Sequence, residues 1–136
     1  MKQGAVRAID TNIVVRLLTA DDPEQAAAAK QIIEAGDIFL GVTVLLEAEW
    51  VLRAGYGFDA TQIASALRGL AGLPGMSVEE PTLLSTALEW LEGGMDFADA
   101  LHLASRSESA NFVSFDEKLV KRAKGLGVTA VALLHV

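Results

Sequence analysis

An α/β protein with a parallel sheet covered by helices on both faces is the architecture this sequence predicts. Short apolar runs alternate with segments of helical periodicity along the whole chain. The run Ile38-Phe39-Leu40-Gly41-Val42 is continuous rather than alternating, the pattern of a strand buried on both faces. Two runs, Ala5 to Ile9 and Asn111 to Phe115, each stop at an acid and turn at once into a helix. In open parallel sheets, ligands gather at such carboxyl ends.

The first strand, Ala5-Val6-Arg7-Ala8-Ile9, ends at Asp10-Thr11-Asn12, and Ile13 to Leu18 is the helix after it. Asp10 alone reads first as a helix N-cap, because Asp is among the best caps. Asp22-Pro23 sets a cap before a proline at the first helical position, and an alanine-rich helix runs from Glu24 to Glu34 and ends at Gly36. After the second strand, Thr43 is expected to cap a helix through Leu46, Glu47, Trp50 and Leu52 that frays at Gly55. Asp59 caps the next, with Ile63, Leu67 and Leu70 on one face and Gly72 and Pro74 closing it. Met76-Ser77-Val78 is a short strand. Pro81 opens a helix carrying Leu84, Leu88 and Leu91, stopped by Gly93-Gly94. Asp96-Phe97-Ala98-Asp99 starts another that reaches about Ser109. Asn111 to Phe115 is a strand ending at Asp116, Glu117 to Lys124 a basic helix, and Val128 to Leu134 the last strand. No repeat, low-complexity tract or linker interrupts the series, so residues 1–136 read as one domain, long enough to bury a core unaided.

Composition excludes several classes of function. Without cysteine there is no disulfide, thiol catalysis or cysteine-bound metal. The 51% apolar fraction exceeds the usual range and suggests a buried homo-oligomer interface. No segment resembles a signal peptide, and the charge-free apolar stretch from Ile38 to Leu46 is too short to span a bilayer. A soluble, cytoplasmic protein is therefore expected, with no membrane partner. The net charge of -7 argues against a generic basic nucleic-acid surface. It leaves room for a nuclease whose acids hold metal ions.

With 18 acids in the chain, spacing and neighbours must sort them. Glu47 and Glu49 lie about 200° apart on a helix and cannot serve one site together. Glu49 precedes Arg53 by one turn, the order of an exposed ion pair. Glu47 shares its face with Val44, Val51 and Ala54, where an acid is expensive to bury unless something binds it. Glu47 is thus the site candidate and Glu49 the surface residue. Asp96 and Asp99 are neighbours on one helix face. The bland account makes Asp96 a cap and Asp99 a partner of the helix dipole; the functional account points Asp99 into a site. His102, one turn on, reads as a packed or surface histidine. Asp116 repeats the arrangement of Asp10. Carboxylates gathered at one sheet edge repel and raise one another's pKa. A hard divalent cation relieves this, and with oxygen ligands alone Mg²⁺ or Mn²⁺ fits. Such a site suits phosphodiester hydrolysis by activated water.

Ile9-Asp10-Thr11-Asn12, the segment Thr43 to Arg53, Asp96-Phe97-Ala98-Asp99-Ala100-Leu101 and Ser114-Phe115-Asp116 together resemble the PIN-domain ribonucleases, and among them the VapC-type toxins of toxin–antitoxin pairs. The resemblance runs from Val6 to about Lys121. It implies a three-layer α/β/α fold with a five-stranded parallel sheet in the order 3-2-1-4-5, and an acidic quartet of Asp10, Glu47, Asp99 and Asp116. Asp10, Asp99 and Asp116 would hold Mg²⁺ or Mn²⁺, with Glu47 completing the shell or placing the attacking water. Asn12 and Ser114 would support them. It further implies cleavage of single-stranded RNA and a small antitoxin partner, while relatives of this fold pair through helices as homodimers. Trp50 and Trp90 are the aromatic candidates for such an interface. Arg16 is a candidate phosphate contact, with a surface ion pair the plainer account. Lys118, Lys121 and Arg122 share a helix face and would steer RNA or complement the helix dipole. Rival classes fit less well. A phospho-receiver needs an acidic pair at the first strand and a lysine after the last. A paired-aspartate phosphatase needs a second Asp where Asn12 stands. A non-catalytic module on the same fold conflicts with the intact quartet, and an RNA-processing PIN nuclease differs only in lacking an antitoxin.

Overall fold

The computed structural model describes residues 5–106 and 109–136. Among them are seven helices and five strands, in two compact units, Met1–Pro81 and Thr82–Val136.

In the first unit the chain order is β1 (Arg7–Ala8), α1 (Thr11–Thr19), α2 (Pro23–Glu34), β2 (Ile38–Leu40), α3 (Val42–Tyr56), α4 (Ala60–Ala71) and β3 (Met76–Val78). β2 is central and parallel to both neighbours, with Arg7 opposite Ile38 and Ile38 opposite Met76. Its Ile38 and Leu40 are fully buried, as a continuous apolar run requires. The first strand departs from expectation. It has only two ladder residues, both exposed, and Ile9 alone of its run is buried.

Helix ends follow local chemistry. Asp10, Asp22 and Asp59 each accept a backbone N–H three residues on, and Gln62 returns the favour to Asp59 in a capping box. Thr43 does not cap α3, contrary to the sequence reading. The cap is Gly41 in an extended conformation, and the carboxylate of Glu79, just past β3, accepts the Val42 N–H at 2.9 Å. α3 then runs on through Gly55 to Gly57, whose φ of 71° ends it in the left-handed region. α1 packs on α2 and α3, and α4 on α3 and β3.

In the second unit α5 (Pro81–Glu92) and α6 (Phe97–Ala104) precede β4 (Phe112–Ser114), α7 (Glu117–Gly125) and β5 (Val131–Leu133). β4 and β5 are parallel, with Val113 opposite Ala132, and α7 packs on both. Arg106 ties the end of α6 to this sheet, donating to the carbonyls of Thr129 at 2.7 Å and Ala130 at 2.8 Å. α6 stops at Ala104, short of the expected Ser109; residues 107 and 108 of that expected helix lie outside the described residues.

The ladders form a three-stranded sheet, β1-β2-β3, and a two-stranded sheet, β4-β5, not one five-stranded sheet. The expected order survives as its halves, 3-2-1 and 4-5. Strands of two or three residues carry few ladder bonds, and each terminal strand spends them on one neighbour. Among the described residues, no helix is long and apolar enough to cross a membrane.

Candidate functional site

Asp10 sits where the first strand gives way to α1. One carboxylate oxygen, Oδ1, accepts the Ile13 N–H at 3.1 Å, so capping fixes the side chain while Oδ2 stays unengaged among the described residues. Asp10, Asn12, Arg16 and Gln25 line a cleft of about 360 Å³ floored by Ile13 and Ile32. Asn12 is exposed. Thr11 donates its hydroxyl hydrogen to Oε1 of Glu47, which joins the second acid to the residue beside the first.

Glu47 and Glu49 do face apart, but with inside and outside exchanged relative to the sequence reading. Glu47 is exposed. Glu49 is 2% exposed and is the sole buried charged side chain among the described residues. The buried stripe of α3 is Leu45, Ala48, Glu49 and Leu52, at the i, i+3, i+4 and i+7 spacing of a core face. Arg53 neutralises Glu49 at 2.8 Å and keeps half its own surface in solvent, so the pair is not an exposed one. Trp50 is 58% exposed, whereas Trp90 is half-buried.

Arg16 is held by three partners: Gln25 at 2.7 Å, Tyr56 at 3.1 Å and Asp21 at 3.2 Å. Tyr56 in turn donates to Asp21 at 2.6 Å. The hydrogen bonds from Tyr56 and Thr19, with the Arg16 charge, hold the Asp21 carboxyl below the ordinary carboxylate range.

The second unit carries its own acidic group. Asp96 caps α6 by accepting the Asp99 N–H at 3.1 Å. Asp116 caps α7 through Oδ1, which accepts from Lys118 N at 2.9 Å and Leu119 N at 3.1 Å. Its own N–H donates to Ser114 Oγ at 3.0 Å, so Ser114 sets the turn on which Asp116 stands. Asp99 caps nothing and is half-buried. Burial, then the charges of Asp96 and Asp116, push its carboxyl above the ordinary range, against a smaller opposite pull from exposed His102. These three acids and Lys118, Lys121 and Arg122 line a cleft of about 810 Å³.

Among the described residues, no three His, Asp or Glu side chains are drawn together tightly enough to grip a metal ion. The donor chemistry nevertheless fits a hard divalent cation. The donors are carboxylate and hydroxyl oxygens, and burial, then the charges of Asp96 and Asp116, raise the Asp99 carboxyl, the environment a cation would relieve. Thr11 escaped the sequence reading, although it was legible as a hydroxyl inside the first acidic triplet; its bond to Glu47 is a contact distant in sequence.

The PIN domain family model matches residues 8–125, a span that includes Asp10, Glu47, Asp99 and Asp116. No curated protein and no solved structure matches the chain. PIN domains are in general metal-dependent nucleases and typically use divalent ions such as Mg²⁺, which supports a hydrolase role. With most of its length matched, and with its acids on the ends of parallel strands and the starts of helices, this chain belongs to the PIN domain family.

Proposed function

We propose that this chain is a divalent-metal-dependent endoribonuclease that cuts single-stranded RNA, and that it is the toxin of a toxin–antitoxin pair. The observation that carries the chemistry is the cleft that Asp96, Asp99 and Asp116 line together, where Asp99, engaged in no helix cap, is half-buried beside two other acids that raise its carboxyl above the ordinary range. Asp10, Asp99 and Asp116 would hold Mg²⁺ or Mn²⁺. When bound, the cation supplies an acidified water and neutralises charge on the scissile phosphate.

The chain's own residues set the geometry. Asp10 and Asp116 each commit Oδ1 to helix N–H groups, which leaves Oδ2 to face a ligand. Glu47 commits Oε1 to Thr11, so Oε2 is the oxygen left to orient water and accept its proton. Ser114 fixes the backbone of Asp116, and Asn12 lies beside Asp10 at the mouth of its cleft.

The toxin role rests on the resemblance of the acidic motifs to the VapC type, and implies a cytoplasmic enzyme silenced by a small antitoxin. Purified protein incubated with single-stranded RNA should cut it in Mg²⁺ or Mn²⁺ and stop in EDTA. Asp99→Asn should be folded by circular dichroism and inactive. Cleavage by Asp99→Asn at the wild-type rate would show the site to be misassigned. The small protein encoded by the adjoining reading frame should bind the chain and block cleavage; a neighbour that does neither removes the toxin role and leaves the nuclease.

A further inference from the structure

Three cations rise from one face of α7, Lys118, Lys121 and Arg122, and the structure treats them differently. Arg122 packs against the Gly93-Gly94 turn that ends α5. A methyl group in place of the Gly94 hydrogen would stand 3.1 Å from both Cζ and Nη1 of Arg122 and 3.4 Å from Nε. Three atoms of one planar group at nearly equal distance mean that the guanidinium lies flat over the glycine. Nη1 also reaches the Gly93 carbonyl at 3.5 Å. Gly94 has φ of 101°, a conformation L side chains rarely adopt, so the backbone calls for glycine here, and an added Cβ would displace the guanidinium by a few tenths of an ångström.

Arg122 is exposed and forms no ion pair among the described residues, although Asp96, Asp99 and Asp116 line the same cleft. Among the described residues the guanidinium is therefore not neutralised by the carboxylates of its own cleft, which leaves its charge to an anionic ligand. A planar guanidinium, held in place with Nη2 and Nε free, matches two phosphate oxygens. Lys118 and Lys121 show no such fixing contact.

We infer that Arg122, laid flat on Gly94, is a positioning residue that binds a phosphate of the RNA beside Asp99 and Asp116. The inference rests on the nuclease reading above and adds to it the residue that orients the substrate backbone. Because the guanidinium already rests on the Gly93-Gly94 turn, less side-chain freedom is lost on binding than for an arm without that contact.

Binding of a single-stranded oligoribonucleotide by the full chain in EDTA tests this without cleavage. Arg122→Gln should weaken binding roughly tenfold at moderate salt, and reduce the slope of log K against log salt by about 0.7. Arg122→Lys should restore the slope but not the whole affinity, because an ammonium cannot grip two oxygens in one plane. Lys124→Gln removes the same charge from the same helix but lies outside the cleft, and should bind nearly as wild type. Gly94→Ala should weaken binding while the charge is kept, and should add little to Arg122→Gln. Equal weakening by Arg122→Gln and Lys124→Gln would reduce the effect to net charge and overturn the inference. A wild type that cleaves RNA with metal, beside an Arg122→Gln that binds and cleaves equally well, overturns this inference alone. A wild type that neither binds nor cuts RNA overturns the nuclease reading as well.

Discussion

The Thr11 hydroxyl donates to a Glu47 oxygen at 2.5 Å, across 36 residues of chain. The bond ties the start of α1 to an exposed acid on α3, and so fixes a carboxylate that would otherwise sweep through its rotamers. Thr11→Val should leave the fold intact and lower the cleavage rate roughly tenfold or more, the worth of a hydrogen bond to a charged group. Thr11→Ser should recover most of it. Full activity in Thr11→Val would remove Thr11 from the site.

Glu49, buried rather than at the surface, carries a prediction about stability. Arg53→Ala leaves a buried carboxylate with less to neutralise it, and should cost about 1–3 kcal/mol in urea unfolding. Cleavage by the folded fraction should be unchanged. An unfolding midpoint equal to wild type would mean that solvent reaches Glu49 well enough to replace Arg53.

Asp116 caps α7 and is also one of the proposed site acids, and two substitutions separate the roles. Asp116→Asn keeps a good cap, whereas Asp116→Ala should lose about 1 kcal/mol of stability. Both should be inactive. If Asp116→Asn retains cleavage, the residue is a cap and nothing more.

Acid stability should depend on Tyr56. Its hydroxyl is the largest influence holding the Asp21 carboxyl below its ordinary value of 3.8. A depressed folded-state pKa adds stability above the unfolded pKa and loses it as pH falls through the folded one. Tyr56→Phe should therefore be less stable than wild type at neutral pH, and the gap should close below about pH 4. A gap that stays constant down to pH 2 would assign the loss to the hydroxyl's other contacts.

A homodimer is the expected assembly, with Trp50 in its interface. An exposed tryptophan on a helix is the kind of residue that interface cores enrich. Sedimentation of the isolated chain should show a dimer at micromolar concentration, and Trp50→Glu should shift it to monomer. A wild type that sediments only as monomer rejects the dimer.

Helix positions and caps were legible wherever the signal is local. Asp22-Pro23, Asp59 with Gln62, and Asp96 with Asp99 announce their helices within four residues, and each folds accordingly. Reading failed where a distant partner decides. Nothing near Thr43 reveals that Glu79 would cap α3 from beyond β3. The two glutamates of α3 were correctly set on opposite faces, yet their burial was inverted. Valine and alanine beside Glu47 looked like a stripe, while the stripe that packs is Leu45, Ala48 and Leu52, with Glu49 among them. Strand ladders were overextended for a similar reason. Apolar runs of five residues predict length, but neighbouring backbone decides how many residues find partners, here two or three.

Asp10, Asp96 and Asp116 each hold a helix start by hydrogen bonds to backbone amides, so folding has its own use for them. Asp99 caps nothing, and burial with the charges of Asp96 and Asp116 raises its carboxyl above the ordinary range. Under the proposed nuclease function, a lineage released from it would lose stability by replacing Asp10, Asp96 or Asp116 with residues that cannot cap, and would lose no cap by replacing Asp99. Loss of the proposed activity would therefore begin at position 99, and a descendant with asparagine or alanine there but aspartate at 10 and 116 would be a retired enzyme still wearing its helix caps.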